Sequence, residues 1–272
     1  MAASPRISAL ISDVDGTVVT SRKDVAPGTR AVAAKLRERG IPMAIISGRP
    51  PLGMRMLIEP LKLTTPIAGF NGGAFTREDM SVIEERPLPP AVAAESVEFL
   101  QRRDIEVWVF ASGKWYVRDP DRPHVIRERH AVQFDPIVVA DFSKLLDDAH
   151  KVVGISDDIP TLVQHEREMA GRIDGKASAS RSQPYYLDIT HPLANKGDAV
   201  GTLARLMGVT MDQVAVIGDG LNDVGMFAKS PLSIAMGNAS DEVKGLARFV
   251  TGSNDEEGWA SAIEKHVLGG GG

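Results

Sequence analysis

Two aspartates, Asp13 and Asp15, close an apolar run and are followed at once by Gly16. Three more segments carry groups suited to chemistry: Ser47-Gly48-Arg49, Lys196, and Gly218 through Asp223. Ser47 can donate to a phosphate through its hydroxyl and Gly48 through its backbone N–H. Lys196 opens a predicted helix, where the helix dipole gives a cation nothing, so a lysine there implies an anion to hold. The carboxylates of Asp13, Asp15, Asp219 and Asp223 would repel one another around one site unless a cation sat among them. Oxygen ligands without His or Cys point to Mg2+ rather than zinc. A carboxylate nucleophile beside Mg2+ and a lysine suits phosphoryl transfer through an aspartyl-phosphate. Asp15 can then give a proton to the leaving oxygen and later take one from water.

Each segment also has a plainer reading. Asp-x-Asp-Gly resembles the start of a calcium loop, but position 12 counted from Asp13 is Asp24, not Glu, and the glycine falls too early. Ser47-Gly48 alone is a turn, and Asn71 before Gly72 is either a turn former or a substrate contact. Their shared placement at strand ends raises the chemical reading.

The elements that must position these groups follow from periodicity. Ile7 to Ile11 reads as a buried strand, Pro27 to Gly40 as an amphipathic helix, and Ile41 to Ile46 as a second strand. Strand, helix, strand with short links is a right-handed parallel unit. Met54 to Leu61 is predicted helical and Pro66 to Phe70 a third strand, while Ala74 to Arg77 and Val82 to Glu85 are expected to pair as a flap. Pro87-Leu88-Pro89-Pro90 reads as a linker. Beyond it lie a hairpin at Ser112-Gly113, helices near Pro123 to His130 and Ile159 to Met169, and a second hairpin ending at Ile189. The parallel pattern resumes with a helix at Asn195 to Met207 and a strand at Val214 to Ile217. Leu232 to Ala235 and Arg248 to Val250 are further strands, and Glu256 to Val267 is a closing helix. The fold class is therefore α/β: a Rossmann-like parallel-sheet core, residues 1–86 and 190–272, with an inserted α+β cap at residues 87–189. Arg118, Arg122, Arg127, His124, Trp115 and Tyr116 are the cap residues that could reach the cleft.

Composition bounds the partners. The 272 residues include no cysteine and carry a net charge of −5, so nucleic acid is not expected and any phosphate site must supply its own positive charge. No apolar run reaches the ~18 residues that span a bilayer, and the start Met-Ala-Ala-Ser-Pro-Arg has no secretory h-region. A cytoplasmic protein, monomer or homodimer, with no membrane partner is expected, its Gly269 to Gly272 tail disordered.

Taken together, the motifs resemble those of the haloacid dehalogenase superfamily, and within it the Cof-type phosphatases with an α/β cap. Asp13-Val14-Asp15-Gly16-Thr17 resembles the first motif, Ser47-Gly48-Arg49 the second, Lys196-Gly197 preceded by Leu187-Asp188-Ile189 the third, and Gly218-Asp219-Gly220-Leu221-Asn222-Asp223 the fourth. Gly237-Asn238-Ala239, Ser253-Asn254 and Glu257-Gly258 match the later pattern, while Val14 and Gly73 are small departures. The resemblance implies a nucleophile and metal ligand at Asp13, and an acid/base at Asp15 that ligates metal through its carbonyl. It implies phosphoryl binding by Ser47 and Lys196, with Gly48, Arg49, Asn71 and Asn222 on the substrate side, and metal support from Asp219 and Asp223. The expectation is a Mg2+-dependent phosphatase of a small phosphorylated, sugar-phosphate-like metabolite. A phosphomutase of the phosphomannomutase type, or a non-catalytic phosphometabolite-binding protein, is the alternative.

Overall fold

Alternating apolar runs and amphipathic helices of this length bury their faces by layering helices on both sides of a sheet. The computed structural model describes residues 7–269, so the expectations for the first six residues and for the tail beyond Gly269 lie outside the described residues.

The strands are β1 (Ala9–Asp13), β2 (Met43–Ile46), β3 (Ile67–Gly69), β4 (Ala74–Thr76), β5 (Val82–Glu85), β6 (Glu106–Ala111), β7 (Lys114–Val117), β8 (Ile137–Val138), β9 (Ala149–Ile155), β10 (Ser178–Gln183), β11 (Tyr186–Thr190), β12 (Val214–Gly218), β13 (Leu232–Ala235) and β14 (Phe249–Val250). The helices are α1 (Pro27–Glu38), α2 (Ile58–Leu61), α3 (Pro90–Gln101), α4 (Pro123–Val132), α5 (Ile159–Ile173), α6 (Lys196–Met207), α7 (Val224–Phe227), α8 (Asp241–Leu246) and α9 (Gly258–Ile263).

One sheet has the order β14-β13-β12-β1-β2-β3-β4-β5, parallel from β14 to β3 and antiparallel at β4 and β5. Its two faces alternate by residue. Leu10, Ile45 and Ile217 pack with α1 and α9, while Ile11, Ile46 and Val216 pack with α6 and α7. The second sheet has the order β10-β11-β9-β6-β7-β8 and pairs antiparallel except for the short β7–β8 contact. One face, with Val109, Val152 and Leu187, packs on α3 and α5. The other, with Trp108, Phe110, Val153 and Tyr186, packs on α4 and on Phe70 and Ala74 at the edge of the first sheet.

Several boundaries move by physical cause. Asp13 is the last residue of β1, because it pairs with Ile46 across the ladder to β2. The expected flap is instead the edge of the first sheet: Asn71-Gly72 turns β3 into β4, and β5 pairs with β4. Gly72 has φ +100°, and a Cβ there would stand 2.3 Å from Ala199, so this turn is closed to side chains. Proline at position 51 begins a 3-10 turn that runs to Leu57 before α2. α8 and β8 are too short to register as periodic patterns. The N-terminus of α1 receives no cap from Ala26; Glu257 supplies it, accepting from the N–H of Gly28 at 2.8 Å and of Thr29 at 3.1 Å.

Candidate active site

β1, β2 and β12 end side by side, and their parallel direction brings Asp13, Ser47 and Asp219 to one edge. α6 starts at the same edge. Its N-cap Asn195 accepts from the N–H of Asp198 at 2.9 Å and leaves Lys196 as the first helical residue. The Lys196 side chain is 2% exposed and its ammonium donates to Asp13 Oδ1 and, at 2.6 Å, to Asp223 Oδ1. The helix dipole would favour neither its charge nor its burial; the two carboxylates hold it there.

Asp13 is 4% exposed. The Thr17 hydroxyl lies 3.0 Å from Asp13 Oδ2 and 3.1 Å from Asp219 Oδ1, and its single proton can serve one at a time. Asp223 is fully buried and its Oδ2 accepts from the N–H of Asp219 at 2.9 Å and of Gly220 at 2.8 Å, which shapes the loop after β12. Gly16, at φ +78°, lets the chain pass Asp219 so closely that a Cβ would lie 2.2 Å from Oδ2. Behind β1, Trp259 Nε1 donates to Ser12 Oγ at 3.0 Å, and that hydroxyl donates to the Asp13 carbonyl at 2.7 Å.

Oxygens of Asp13, Asp219 and Asp223 lie within 4.8 Å of one another. With all three carboxylates ionised, one ammonium leaves two negative charges uncompensated. Burial pushes the Asp13 carboxyl well up, Lys196 opposes it, and Asp223 and Asp219 add to it. Burial and the Asp223 charge likewise raise Asp219. An oxygen-only set with this excess charge fits a hard divalent cation such as Mg2+.

Asp15 faces another way. Its carboxylate accepts from Arg49 Nε at 2.7 Å, from Arg49 Nη2 at 2.6 Å and from Lys23 at 2.7 Å. Burial alone would raise Asp15, but the Arg49 bonds and charge, with Lys23, outweigh it and hold the carboxyl at about 2. The Asp15 side chain therefore stands outside the group formed by Asp13, Asp219 and Asp223. The remaining Arg49 nitrogen donates to the carbonyls of Gly53 at 3.2 Å and Ala131 at 2.7 Å, so in this state the guanidinium is taken up by protein.

Ser47, 2% exposed, accepts the N–H of Arg49 on its Oγ at 3.1 Å, and among the described residues that hydroxyl has no acceptor. Asn71 has φ +56° and donates its N–H to the Ser47 carbonyl at 2.7 Å, while its buried Oδ1 has no partner. Gly48 lies against the Asn71 amide, and Asn222 is exposed on the rim beyond Asp219.

Sequence reasoning missed Lys23 and the linking role of Asn238. Asn238 Nδ2 donates to the Gly16 carbonyl at 2.9 Å and lies 3.2 Å from Asp219 Oδ2; Asn238 Oδ1 accepts the N–H of Asn254 at 3.1 Å. The Gly237-Asn238 and Ser253-Asn254 pairs were the available signal. Of the residues that the sequence offered for the cleft, Trp115 is fully buried in the second sheet. His124 pairs with Asp157 at 2.9 Å, and Arg118 and Arg122 line a separate 370 Å³ cavity with them. Arg127 is exposed beside Tyr185, and Tyr116 packs on the sheet face under α3 and α5.

The haloacid dehalogenase-like hydrolase family model matches residues 10–263. The pyridoxal phosphate phosphatase YbhA of Escherichia coli is 26% identical over 267 residues, covering 94% of this chain and 97% of that protein. The 5-amino-6-(5-phospho-D-ribitylamino)uracil phosphatase YcsE of Bacillus subtilis is 26% identical over 262 residues, covering 96% of each. The crystal structure of a haloacid dehalogenase-like hydrolase from Bacteroides thetaiotaomicron superposes with a TM-score of 0.88 at 28% identity, covering 96% of this chain and 99% of that one.

Proposed function

The chain belongs to the haloacid dehalogenase-like hydrolases, a phosphoric monoester hydrolase by its relatives, and from that premise we propose that it is a Mg2+-dependent phosphatase of a small sugar-phosphate-like metabolite working through an aspartyl-phosphate. The observation that carries this reading is the buried Asp13 carboxylate, held between Lys196 and Thr17 beside two more acids.

Asp13 Oδ attacks phosphorus while the ester oxygen leaves on the far side. Lys196 and the Ser47 hydroxyl draw charge from the phosphoryl oxygens. Asp13, Asp219 and Asp223 would hold the cation, which when bound neutralises negative charge on the phosphoryl group. Asp15 gives its proton to the leaving oxygen and then takes one from the water that opens the aspartyl-phosphate. Because Arg49 and Lys23 hold Asp15 ionised, that exchange requires Arg49 to turn from Asp15 toward the incoming phosphoryl group. In this reading residues 1–86 and 190–272 are the catalytic core. Residues 87–189 are the cap that excludes water and meets the leaving group.

The test is phosphate release from a panel of phosphorylated metabolites with and without Mg2+. Wild-type turnover that requires Mg2+ and vanishes in Asp13→Ala is expected. Undiminished turnover in that variant would sink the mechanism, and isomerised sugar phosphate without free phosphate would make the protein a mutase.

A further inference from the structure

On β9 and β11 the residues that face the first sheet alternate with those that face α3 and α5. The set Lys151, Val153 and Ile155 shares its face with Tyr186 and Asp188, and Val153, Ile155 and Tyr186 pack there with Phe70 of the first sheet. Two charged groups and a phenol are thus buried at the junction of the sheets. Lys151 is 8% exposed, Asp188 5% and Tyr186 7%. Lys151 Nζ donates to Asp188 Oδ2 at 2.6 Å.

The pair leaves something over. Asp188 Oδ1 and the Tyr186 hydroxyl are buried and have no hydrogen-bond partner. A buried polar atom left unpaired costs stability, so two of them on one strand face need an explanation. A half-buried carboxyl, Glu128, lies on the helix that packs over this face. On α4, Val125 and Val132 are buried against Tyr186, and helical spacing puts Glu128, three residues after the first and four before the second, on the same face. The next residue but two, Ala131, is the one whose carbonyl Arg49 holds, so the C-terminal end of α4 lies beside the side chain that grips Asp15. Burial raises the Glu128 carboxyl, moderated by Lys151 and Arg49 and reinforced by Asp188 and Asp15, which are thus its charged neighbours.

We infer that Lys151, Asp188, Tyr186 and Glu128 form the subsite that reads the leaving group, and that it takes a neutral or cationic polyhydroxylated leaving group while rejecting one with a second anionic group. The inference rests on the phosphatase reading and adds to it the residues that select among phosphate esters. Asp188 Oδ1 needs a donor, which a ligand hydroxyl supplies, and the half-buried Glu128 carboxyl can bond a second hydroxyl. The Tyr186 hydroxyl can donate to a third ligand oxygen. Lys151 is already committed to Asp188, so no free cation on these strands answers a second phosphate or a carboxylate. Such a group would meet Glu128 and Asp188 and be repelled. The arrangement favours polyols because a buried hydrogen-bonding site discriminates strongly against ligands that leave it unpaired.

The experiment compares kcat/KM for glucose 6-phosphate, fructose 1,6-bisphosphate and acetyl phosphate, the last having no hydroxyl to read, in Mg2+. Tyr186→Phe removes only an oxygen that bonds nothing in the protein, so it will fold; Asp188→Asn is the second variant. Wild-type enzyme is expected to prefer the monophosphate to the bisphosphate. In each variant the ratio of glucose 6-phosphate to acetyl phosphate turnover is expected to fall about tenfold, the worth of one buried hydrogen bond. A ratio unchanged in Tyr186→Phe, or a wild-type preference for the bisphosphate, overturns the subsite while leaving the phosphatase reading in place. No phosphate release from any of the three compounds by the wild-type protein overturns both.

Discussion

Arg49 grips Asp15 with two guanidinium nitrogens, at 2.7 and 2.6 Å, and with a third holds the carbonyl of Ala131 at 2.7 Å. One side chain thus ties Asp15, two residues beyond Asp13, to a helix of the second sheet.

The Asp15 ion pair sets the first prediction. Its carboxyl sits at about 2 in the fold, below the ordinary 3.8. A carboxylate depressed by folding contributes stability that is present above its unfolded pKa and is lost as pH falls through the folded one. The stability gap between wild type and Asp15→Asn, read from urea unfolding, is therefore expected to be widest near neutral pH and to narrow from about pH 5 toward pH 2. A gap of constant size across that range would show that the ion pair adds nothing.

Lys196 is the counter-charge of two buried acids. Lys196→Met leaves Asp13 and Asp223 without it and is expected to cost about 3–5 kcal/mol, because breaking a buried pair strands its partners. Denaturant unfolding in EDTA measures the loss. Added Mg2+ should recover part of it, and recovery should disappear in the double variant with Asp219→Asn.

Mg2+ should raise the thermal midpoint of the wild-type protein, since a ligand held at 100 times its Kd stabilises by about 2.7 kcal/mol. Burial raises Asp13 and Asp219, so both take up protons at a higher pH than free aspartate does. A protonated carboxyl does not bind the ion, so affinity should weaken as the solution is acidified. Calorimetric titration at two pH values checks this; tighter binding in acid would refute it.

Glu257 reaches across the chain to cap α1. Glu257→Ala is expected to lower stability by about 1 kcal/mol, the usual worth of a helix cap, with phosphate release little changed. A large loss of activity at unchanged stability would mean that the residue does something else.

Much of this arrangement was legible because parallel strands announce themselves. Ile7 to Ile11 and Val214 to Ile217 are unbroken apolar runs, and acids directly after such runs fall at one sheet edge. The place of Lys196 was legible too, because a cation at a helix start is unfavourable unless something holds it. Two kinds of information were hidden. Asp15 read as one of four carboxylates around a single site, yet the chain turns after β1 and sends its side chain and that of Asp13 in different directions, one to Arg49 and one to Lys196. No local pattern encodes that, since the partners lie 183 and 34 residues away. The groups at the junction of the sheets were hidden for a different reason. Lys151 and Asp188 sit in strands buried on both faces, and which face meets the first sheet is decided by Phe70 and α4, far off in sequence. Exposed-looking arginines drew attention instead, and Arg118 and Arg122 turned out to line another cavity.

The tryptophans divide the molecule in a way that light can read. Trp259 is 1% exposed and hydrogen-bonds to Ser12, one residue from Asp13, whereas Trp108 and Trp115 meet edge to face, 5.1 Å apart, inside the second sheet. Indole emission shifts with its surroundings, so a chain keeping only Trp259 reports the backbone beneath Asp13, and a chain keeping only the other pair reports the second sheet. The two halves of the protein come with separate lamps, and the order in which they dim under denaturant would tell which half lets go first.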